Sequence, residues 1–285
     1  MNKWIVTLVM IAPMAVFGDS RMPNMTSDNG YVEPFQMFDN VYYVGDKWVS
    51  SYVVETSTGL VIIDTLDFPY SQWIPVNLKK LGLNNKSVTH IIVTHGHSDH
   101  VGGAGFLQAL YGSKVVITQK GFELAKAQAR KSRGDKIFSP PVVMSFAQDN
   151  SRILIGDTEF KFYITPGHTE GDLSIDFMVK DGARRYRAFV VGGHGVNFQK
   201  PDLAHKFIAS MARIKTLAMQ SPAVKVNLSN HPHKNNLFSN RDKPINSVAD
   251  NAFVSDSDFL AFIAAQEKLA IEKMQDKRNK MEAVD

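Results

Sequence analysis

Cysteine is absent from this chain of 285 residues, so it can form neither a disulfide framework nor a thiolate metal site. A large excess of positive charge is absent too: the formal net charge is only +4, and no basic tract is dense enough to follow a phosphate backbone. Nucleic acid is therefore not an expected partner. Any metal site must use histidine and carboxylate ligands, a set that suits zinc and other borderline metals.

Long apolar runs are missing except near the N-terminus, where residues 4–17 form one such run. It is shorter than the roughly 20 residues that a membrane-spanning helix needs. A positively charged start and the small residue Gly18 after the run favour a secretory signal peptide of residues 1–18, with a membrane anchor as the alternative. We therefore expect export to the periplasm and a mature single domain, residues 19–285, that is not bound to a membrane. Its oligomeric state is left open.

Short runs rich in β-branched and aromatic residues, separated by turn residues, predict strands in both halves of the chain. The predicted strands are residues 41–44, 50–55, 59–64, 90–94, 114–118, 159–165, 173–179, 186–191 and 224–229. Apolar spacing predicts helices at 71–82, kinked near Pro75, at 104–112 and at 202–220, with another at the C-terminus. Two strand-rich halves with covering helices predict an α/β fold of two packed sheets with helices outside.

Residues 94–100 read THGHSDH, which places three of the nine histidines beside an aspartate. On a helix the side chains of His95 and His97 would diverge by roughly 200°, whereas on an extended segment they face the same way. Nearby glycines argue against a regular helix, so we predict a loop after the strand at 90–94. His95 and His97 would converge on one ion, while Asp99 and His100 would face a second ion.

Two more histidines follow predicted strands and complete this set. His168 lies in TPGHTEGD, and we predict it as the third ligand of the first metal. His231 lies in LSNHPHK and is our choice for the remaining ligand of the second metal, with His233 as the alternative. His194 also follows a strand and is expected near the site, with direct ligation left open. His90 and His205 are expected to be structural or exposed.

These motifs in this order, HGHSDH, PGHT and a late histidine after a strand, resemble the metallo-β-lactamase superfamily. The resemblance runs from about residue 33 to the C-terminal helix and includes LVIID, which ends in Asp64. The segments EPFQMFDNVYYVG, NHP and NAFV are similar to the third subclass of the true metallo-β-lactamases. The resemblance implies an αββα sandwich of two mixed sheets covered by helices, with zinc bound along one edge and Asp64 supporting the ligands.

Carried onto this sequence, the resemblance implies two zinc ions per chain. His95, His97 and His168 would hold the first, and the second would be held by Asp99, His100 and His231. The implied reaction is hydrolysis of a small-molecule β-lactam, either a penicillin, a cephalosporin or a carbapenem, by a metal-bound hydroxide. Asp99 would also act catalytically by orienting the hydroxide.

Some segments depart from the family. Lactonases and glyoxalases place a metal-bridging aspartate after the strand at 186–191, but this chain reads GGHG at 192–195. His194 and Asn197 stand where the third subclass commonly has serines, and EGDLS follows His168 and Thr169 in place of the lactamase sequence. A lactonase or another ester hydrolase on the same fold is therefore the alternative, and a non-catalytic metal-binding protein is a third.

Three aromatic side chains between the strand at 59–64 and the next helix have two possible roles. Phe68, Tyr70 and Trp73 lie in LDFPYSQW. They are interpreted either as an apolar wall over the substrate or as packing at the start of the helix.

Overall fold

The computed structural model describes residues 21–196, 200–243 and 251–282. The predicted signal peptide, residues 1–18, and Asn197 lie outside the described residues. Export and the domain start at residue 19 therefore stay predictions.

The first half of the chain forms a mixed sheet of six strands in sequence order. Strands β1 to β4 pair antiparallel, whereas β4, β5 and β6 run parallel. The bounds are β1 (Phe35–Phe38), β2 (Val41–Tyr43), β3 (Tyr52–Thr56), β4 (Gly59–Ile63), β5 (Val88–Ile92) and β6 (Lys114–Val116).

The second half forms another mixed sheet, with strand order β11-β10-β9-β8-β7. Strands β10 and β11 are parallel, and the other pairs are antiparallel. The bounds are β7 (Arg152–Ile155), β8 (Thr158–Ile164), β9 (Leu173–Asp181), β10 (Arg184–Val190) and β11 (Val224–Asn227). Because β8 and β10 both run opposite to β9, the carboxyl ends of β8, β10 and β11 lie at the same edge of this sheet.

Seven α-helices lie within the described residues. They are α1 (Trp73–Lys80), α2 (Ser98–Val101), α3 (Ala104–Tyr111), α4 (Gln119–Lys131), α5 (Pro201–Ala218), α6 (Leu237–Arg241) and α7 (Asp258–Glu282). Alternation along the strands places apolar side chains on both faces of each sheet. One apolar core therefore fills the space between the sheets, a second lies under α1, α3 and α4, and a third lies under α5 and α7. This is the predicted αββα sandwich of two mixed sheets.

Several local predictions were wrong. Pro75 does not kink α1, because it is the third residue of that helix, where a backbone N–H has no partner within the helix. The HGHSDH segment is not a loop throughout, since α2 starts at Ser98 and His97 is its N-cap residue. Strands β1 and β7 and helix α4 were not predicted at all.

Within the described ranges, no helix combines the length and the hydropathy that a membrane span requires.

Candidate metal centre

The candidate centre lies where strand ends of both sheets meet. His95 and His97 follow β5, and α2 adds Asp99 and His100 at the same edge of the first sheet. From the second sheet, His168 follows β8 and His231 follows β11. A backbone hydrogen bond from Leu173 N–H to the Thr94 carbonyl, 2.7 Å long, ties the two edges together. The six predicted residues therefore come from separate parts of the sequence and face one another.

His95, His97 and His168 form the first cluster. Nδ1 of His97 lies 3.0 Å from Nε2 of His168, and the His95 ring is centred 4.9 Å from the first ring and 4.8 Å from the second. One nitrogen of each ring lies within 4.8 Å of the others. His95 Nε2 is buried and has no hydrogen-bond partner among the described residues. Lone pairs that converge in this way, with one of them unpaired, fit a cation.

Asp99, His100 and His231 form an adjoining cluster. His100 Nε2 lies 3.3 Å from Asp99 Oδ2 and 3.3 Å from His231 Nε2. The His95 and His100 rings, with centroids 4.2 Å apart, connect the two clusters. By distance alone the residue that groups with Asp99 and His100 is His95, and His231 adjoins this group through its contact with His100.

The rear nitrogen of four of these rings is held by an acceptor, which fixes the orientation of the ring. A ring N–H that donates to a carbonyl or carboxylate leaves the other nitrogen free to bind a metal. The four Nδ1 contacts are His95 to Gly192 O at 2.9 Å, His168 to Gly195 O at 2.9 Å, His231 to Trp48 O at 2.8 Å and His100 to Asp64 Oδ2 at 2.8 Å.

Asp64 is the acceptor for His100, in agreement with the supporting role that the resemblance implied. It ends β4 in the left-handed backbone region, with φ at 59°, a conformation that aspartate tolerates better than most residues. Its buried carboxylate also accepts 2.7 Å hydrogen bonds from the Thr94 N–H and the Thr94 hydroxyl. Three donors thus fix this carboxylate beneath the cluster.

The electrostatics of the site keep most of the rings neutral. Burial lowers the pKa of His95 and His97, and it lowers the pKa of His168 and His231 to about 4. His100 differs: burial lowers its pKa, but the Asp99 and Asp64 carboxylates outweigh burial and raise the pKa to about 10. The protein thus favours a positive charge at this point, which a bound cation can supply in place of the proton.

The Asp99 carboxyl is also held in its charged form. Burial raises the pKa of its carboxyl, but the neighbouring His100 outweighs burial and holds the pKa well below its usual range. Four of the five imidazoles are therefore neutral and the Asp99 carboxylate is ionised, which are the forms that ligate zinc. His100 reaches its ligating form when a bound cation replaces its proton. The residues present fit the metal that the sequence predicted.

A sequence profile of the metallo-β-lactamase superfamily matches residues 44–182. Residues 44–182 belong to the metallo-β-lactamase superfamily. Among solved structures, a subclass B3 metallo-β-lactamase of Bradyrhizobium japonicum is similar in fold, with a TM-score of 0.77 and 24% sequence identity. The similarity covers 88% of this chain and 96% of that one.

Curated relatives share shorter segments with this superfamily member. A β-lactamase-like protein 2 homolog of Caenorhabditis elegans is 23% identical over 168 residues, 59% of this chain and 52% of the relative. A hydroxyacylglutathione hydrolase of Maricaulis maris (strain MCS10) is 38% identical over 85 residues, 30% of this chain and 27% of the relative. The chain therefore spans about half or less of the curated relatives that it matches here.

Sequence reasoning missed the role of Asp172, which supports the His168 turn. The buried Asp172 carboxylate accepts 2.9 Å hydrogen bonds from the N–H groups of His168 and Thr169, and a further one from the Thr169 hydroxyl. Burial raises its pKa to about 7. The signal in the sequence was an acid four residues after the histidine. It lies in EGDLS, so this departure from the lactamase sequence includes a residue that holds a predicted ligand.

Of the two roles considered for the three aromatic residues, packing at the start of the helix describes Phe68 and Trp73. Trp73 and Phe68 are only 0% and 3% exposed. Trp73 donates its indole N–H to Pro23 O at 2.8 Å, and its ring packs against Tyr70. These side chains therefore anchor the start of α1, and only Tyr70 is partly exposed.

The remaining histidines lie outside the two clusters. His233 is exposed, with its ring centred 5.5 Å from that of His231. His90 lies on β5 beside the Thr89 hydroxyl, and His205 is exposed on α5. His194 is buried next to Ser229, and its ring is centred 6.3 Å from the His231 ring.

Proposed function

We propose that the protein is a zinc-dependent hydrolase that opens the β-lactam ring of penicillins, cephalosporins and carbapenems. The observation that carries the proposal is the pair of adjoining clusters, in which five imidazoles and one carboxylate converge. The rear nitrogens of four of these rings are already held by the fold. Such preorganisation is what a metal site requires of its surroundings.

Two zinc ions per chain are part of this proposal. His95, His97 and His168 would hold the first, and Asp99, His100 and His231 would hold the second. Zinc bound there would supply Lewis acidity and a water whose pKa is lowered from about 15.7 towards 7. The chain has no cysteine, and the proposed chemistry needs no protein nucleophile, so no acyl-enzyme is expected to accumulate.

Asp99 is the residue that we propose to act on the attacking water. Its side chain is 32% exposed, whereas that of His100 is fully buried. Its carboxylate is ionised, because His100 holds its pKa below the usual range. An ionised, partly accessible carboxylate can accept a hydrogen bond from water and orient it towards a substrate carbonyl.

A cavity beside the first cluster supports a small anionic substrate. It has a volume of about 350 Å3, and His97 and His168 line one side of it. This is within the usual range for pockets that bind small molecules. Lys120 and Lys200 also line it, as do Glu123 and Glu170, and Glu170 pairs with Lys206 at 2.7 Å. Lys120 pairs with Glu123 at 3.0 Å, but Lys200 forms no ion pair within the described ranges. Lys200 is therefore placed to attract the carboxylate that β-lactam antibiotics carry.

A lactone or thioester hydrolase is the second candidate, because the hydroxyacylglutathione hydrolase segment is 38% identical over 85 residues. The sequence after β10 argues against it, since Gly192 and Gly193 precede a histidine where those enzymes carry a metal-bridging acid. Export to the periplasm through residues 1–18 is part of the lead proposal, because β-lactams act on the cell wall outside the inner membrane.

Turnover by the zinc-loaded protein tests the proposal. A penicillin, a cephalosporin, a carbapenem, an acyl-homoserine lactone and a glutathione thioester are assayed by absorbance at equal concentrations. We expect ring opening of the lactams that chelation abolishes and that serine-directed inhibitors do not affect. Asp99→Asn should retain the fold but lose most of the turnover. Cleavage of the lactone or thioester without cleavage of any lactam would overturn the lead proposal in favour of the second candidate.

A further inference from the structure

His194 is a buried histidine that the proposed metal clusters do not use. It follows β10 and is 5% exposed. Its Nε2 lies 2.8 Å from the hydroxyl oxygen of Ser229. Its Nδ1 is buried and has no hydrogen-bond partner among the described residues. Burying a polar nitrogen without a partner is unfavourable, so a leucine or phenylalanine would suit a purely packing role better.

The Ser229 hydroxyl connects His194 to the loop that carries His231. Its oxygen accepts the backbone N–H of His231 at 3.2 Å while it bonds to His194. The His194 ring thus fixes the rotamer of the Ser229 hydroxyl. That hydroxyl in turn holds the backbone of His231, two residues further along the chain. These contacts therefore connect His194, in the loop after β10, to His231, in the loop after β11.

Packing holds the His194 ring itself in place. Its edge meets the Phe262 ring of α7 with centroids 5.3 Å apart and planes at 76°. Phe262 belongs to the apolar core under α5 and α7. The ring is therefore seated against a rigid part of the molecule and can act as a fixed anchor for Ser229.

The other restraints on the His231 loop act on different atoms. The Ser229 carbonyl accepts from the Tyr52 hydroxyl at 2.7 Å, and the Asn230 carbonyl accepts from the Ser50 N–H at 3.0 Å. Asn230 donates to Thr94 Oγ1 at 3.1 Å and to Gly192 O at 3.2 Å, while Trp48 O accepts from the His231 ring. These contacts fix the neighbouring side chain and the ring. The contact through Ser229 fixes the backbone amide of His231. It therefore also fixes the position of the His231 Cα, to which the side chain is attached.

We propose that His194 is a positioning residue that holds His231, through the Ser229 hydroxyl, in the orientation that completes the second metal site. The inference rests on the proposed zinc function, because it assigns His231 to that site. It also answers the alternative of direct ligation that the sequence left open. Nε2 of His194 is engaged by Ser229, and its Nδ1 is enclosed by protein.

Zinc affinity of four single variants and of the double variant His194→Phe/Ser229→Ala, measured with the full chain, tests the role of His194. Metal-free protein is titrated with zinc in competition with a chromophoric chelator, and cobalt-loaded samples are compared by their visible spectra. His194→Phe keeps an aromatic ring against Phe262 but removes the hydrogen bond. His194→Gln places an amide near the position of Nε2 and gives up the ring packing. Ser229→Ala cuts the same link from its other side, and His90→Phe is the matched control on β5.

We expect the parent and His90→Phe to bind two zinc ions, and His194→Phe and Ser229→Ala to bind the second about tenfold more weakly, as is usual for residues that support ligands. Affinity at the first site should not change, which also shows that each variant is folded. His194→Gln should recover most of the loss. The double variant should be no weaker than either single one, because both remove the same link.

The outcomes separate this inference from the proposed function. A parent that binds fewer than two zinc ions overturns the proposed function and this inference together. A parent that binds two while His194→Phe retains parental affinity at both sites overturns the inference alone. The inference is also wrong if the losses of His194→Phe and Ser229→Ala add in the double variant. If His194→Phe does not fold, Ser229→Ala and His194→Gln still decide the question.

Discussion

At the scale of the residue, two histidines separated by one proline have unlike surroundings. The His231 ring donates to Trp48 O at 2.8 Å, so its Nε2 faces His100. His233 is exposed, and its ring is centred 5.5 Å from that of His231. Both follow the same predicted strand, so spacing alone could not rank them. The difference arises from Trp48, which is distant in the sequence and adjacent only after folding.

This difference predicts opposite results for two alanine variants. His231→Ala should lower the zinc content after dialysis by about one ion per chain. It should also lower kcat by on the order of 100-fold, the usual cost of removing a group that stabilises developing charge. His233→Ala should leave both values near those of the parent and is the matched control. Metal analysis and steady-state kinetics decide, and the reverse ranking would show that His233 is the ligand.

Asp172 marks the limit of prediction at this scale. HGHSDH and PGHT could be recognised because their side chains are close in sequence or follow predicted strands. The partners of the Asp172 carboxylate are backbone N–H groups of His168 and Thr169, which no residue type reveals. They converge only because the turn after β8 takes this conformation. Ser229 escaped notice for the same reason.

At the scale of the element, strands and site loops were predicted better than short helices. Continuous apolar runs identified β4 and β5, because a strand buried on both faces has few polar positions. Helix α4, which is strongly charged, has only two fully buried residues, Gly121 and Ala125, and so gave a weak pattern. Helix α2 has one turn, and its N-cap lies in the glycine-containing motif. Contacts with the rest of the fold, and not the local sequence pattern, therefore determine helices α2 and α4.

The connection between β2 and β3 shows how one such element depends on pH. Asp46 Oδ1 accepts 2.7 Å hydrogen bonds from the N–H groups of Trp48 and Val49. Burial raises its pKa to about 6 from an ordinary value of 3.8, so the folded state binds the extra proton between these values. The stability that this group contributes is therefore present below about pH 4 and is lost as the pH rises through 6.

Asp46→Asn keeps an oxygen acceptor but cannot ionise. The unfolding free energy of the variant relative to the parent should therefore increase between pH 4 and pH 7, by about 2 kcal/mol. Urea unfolding at both pH values, at a fixed zinc concentration, measures the change. Asp157→Asn is the control: the Lys180 ion pair lowers the Asp157 pKa from its ordinary value of 3.8, so the difference between this variant and the parent should change little between pH 4 and pH 7. A difference that does not vary with pH would contradict the proposed cost of burying the Asp46 charge.

At the scale of the whole molecule, the proposed centre joins two sheets that are built from separate halves of the chain. The first sheet carries His95, His97, Asp99 and His100, and the second carries His168 and His231. Local sequence patterns predicted both sheets and their face-to-face packing. These patterns did not predict the distance between the two sheets, which is set by side-chain packing in the core between them. A bound metal would add a link across this interface.

Metal removal should therefore destabilise the entire fold. The unfolded chain does not hold the six residues together, so zinc binds chiefly the native state and stabilises it by about 2.7 kcal/mol at a free concentration of 100 Kd. At about 2–4 °C per kcal/mol, the melting temperature of zinc-loaded protein should exceed that of chelated protein by roughly 5–10 °C. Magnesium at the same concentration is the control, since it prefers oxygen ligands over imidazole. Calorimetry should show one transition in both states, because the ligands span both sheets. Equal melting temperatures with and without zinc would mean that these histidines do not form a metal site.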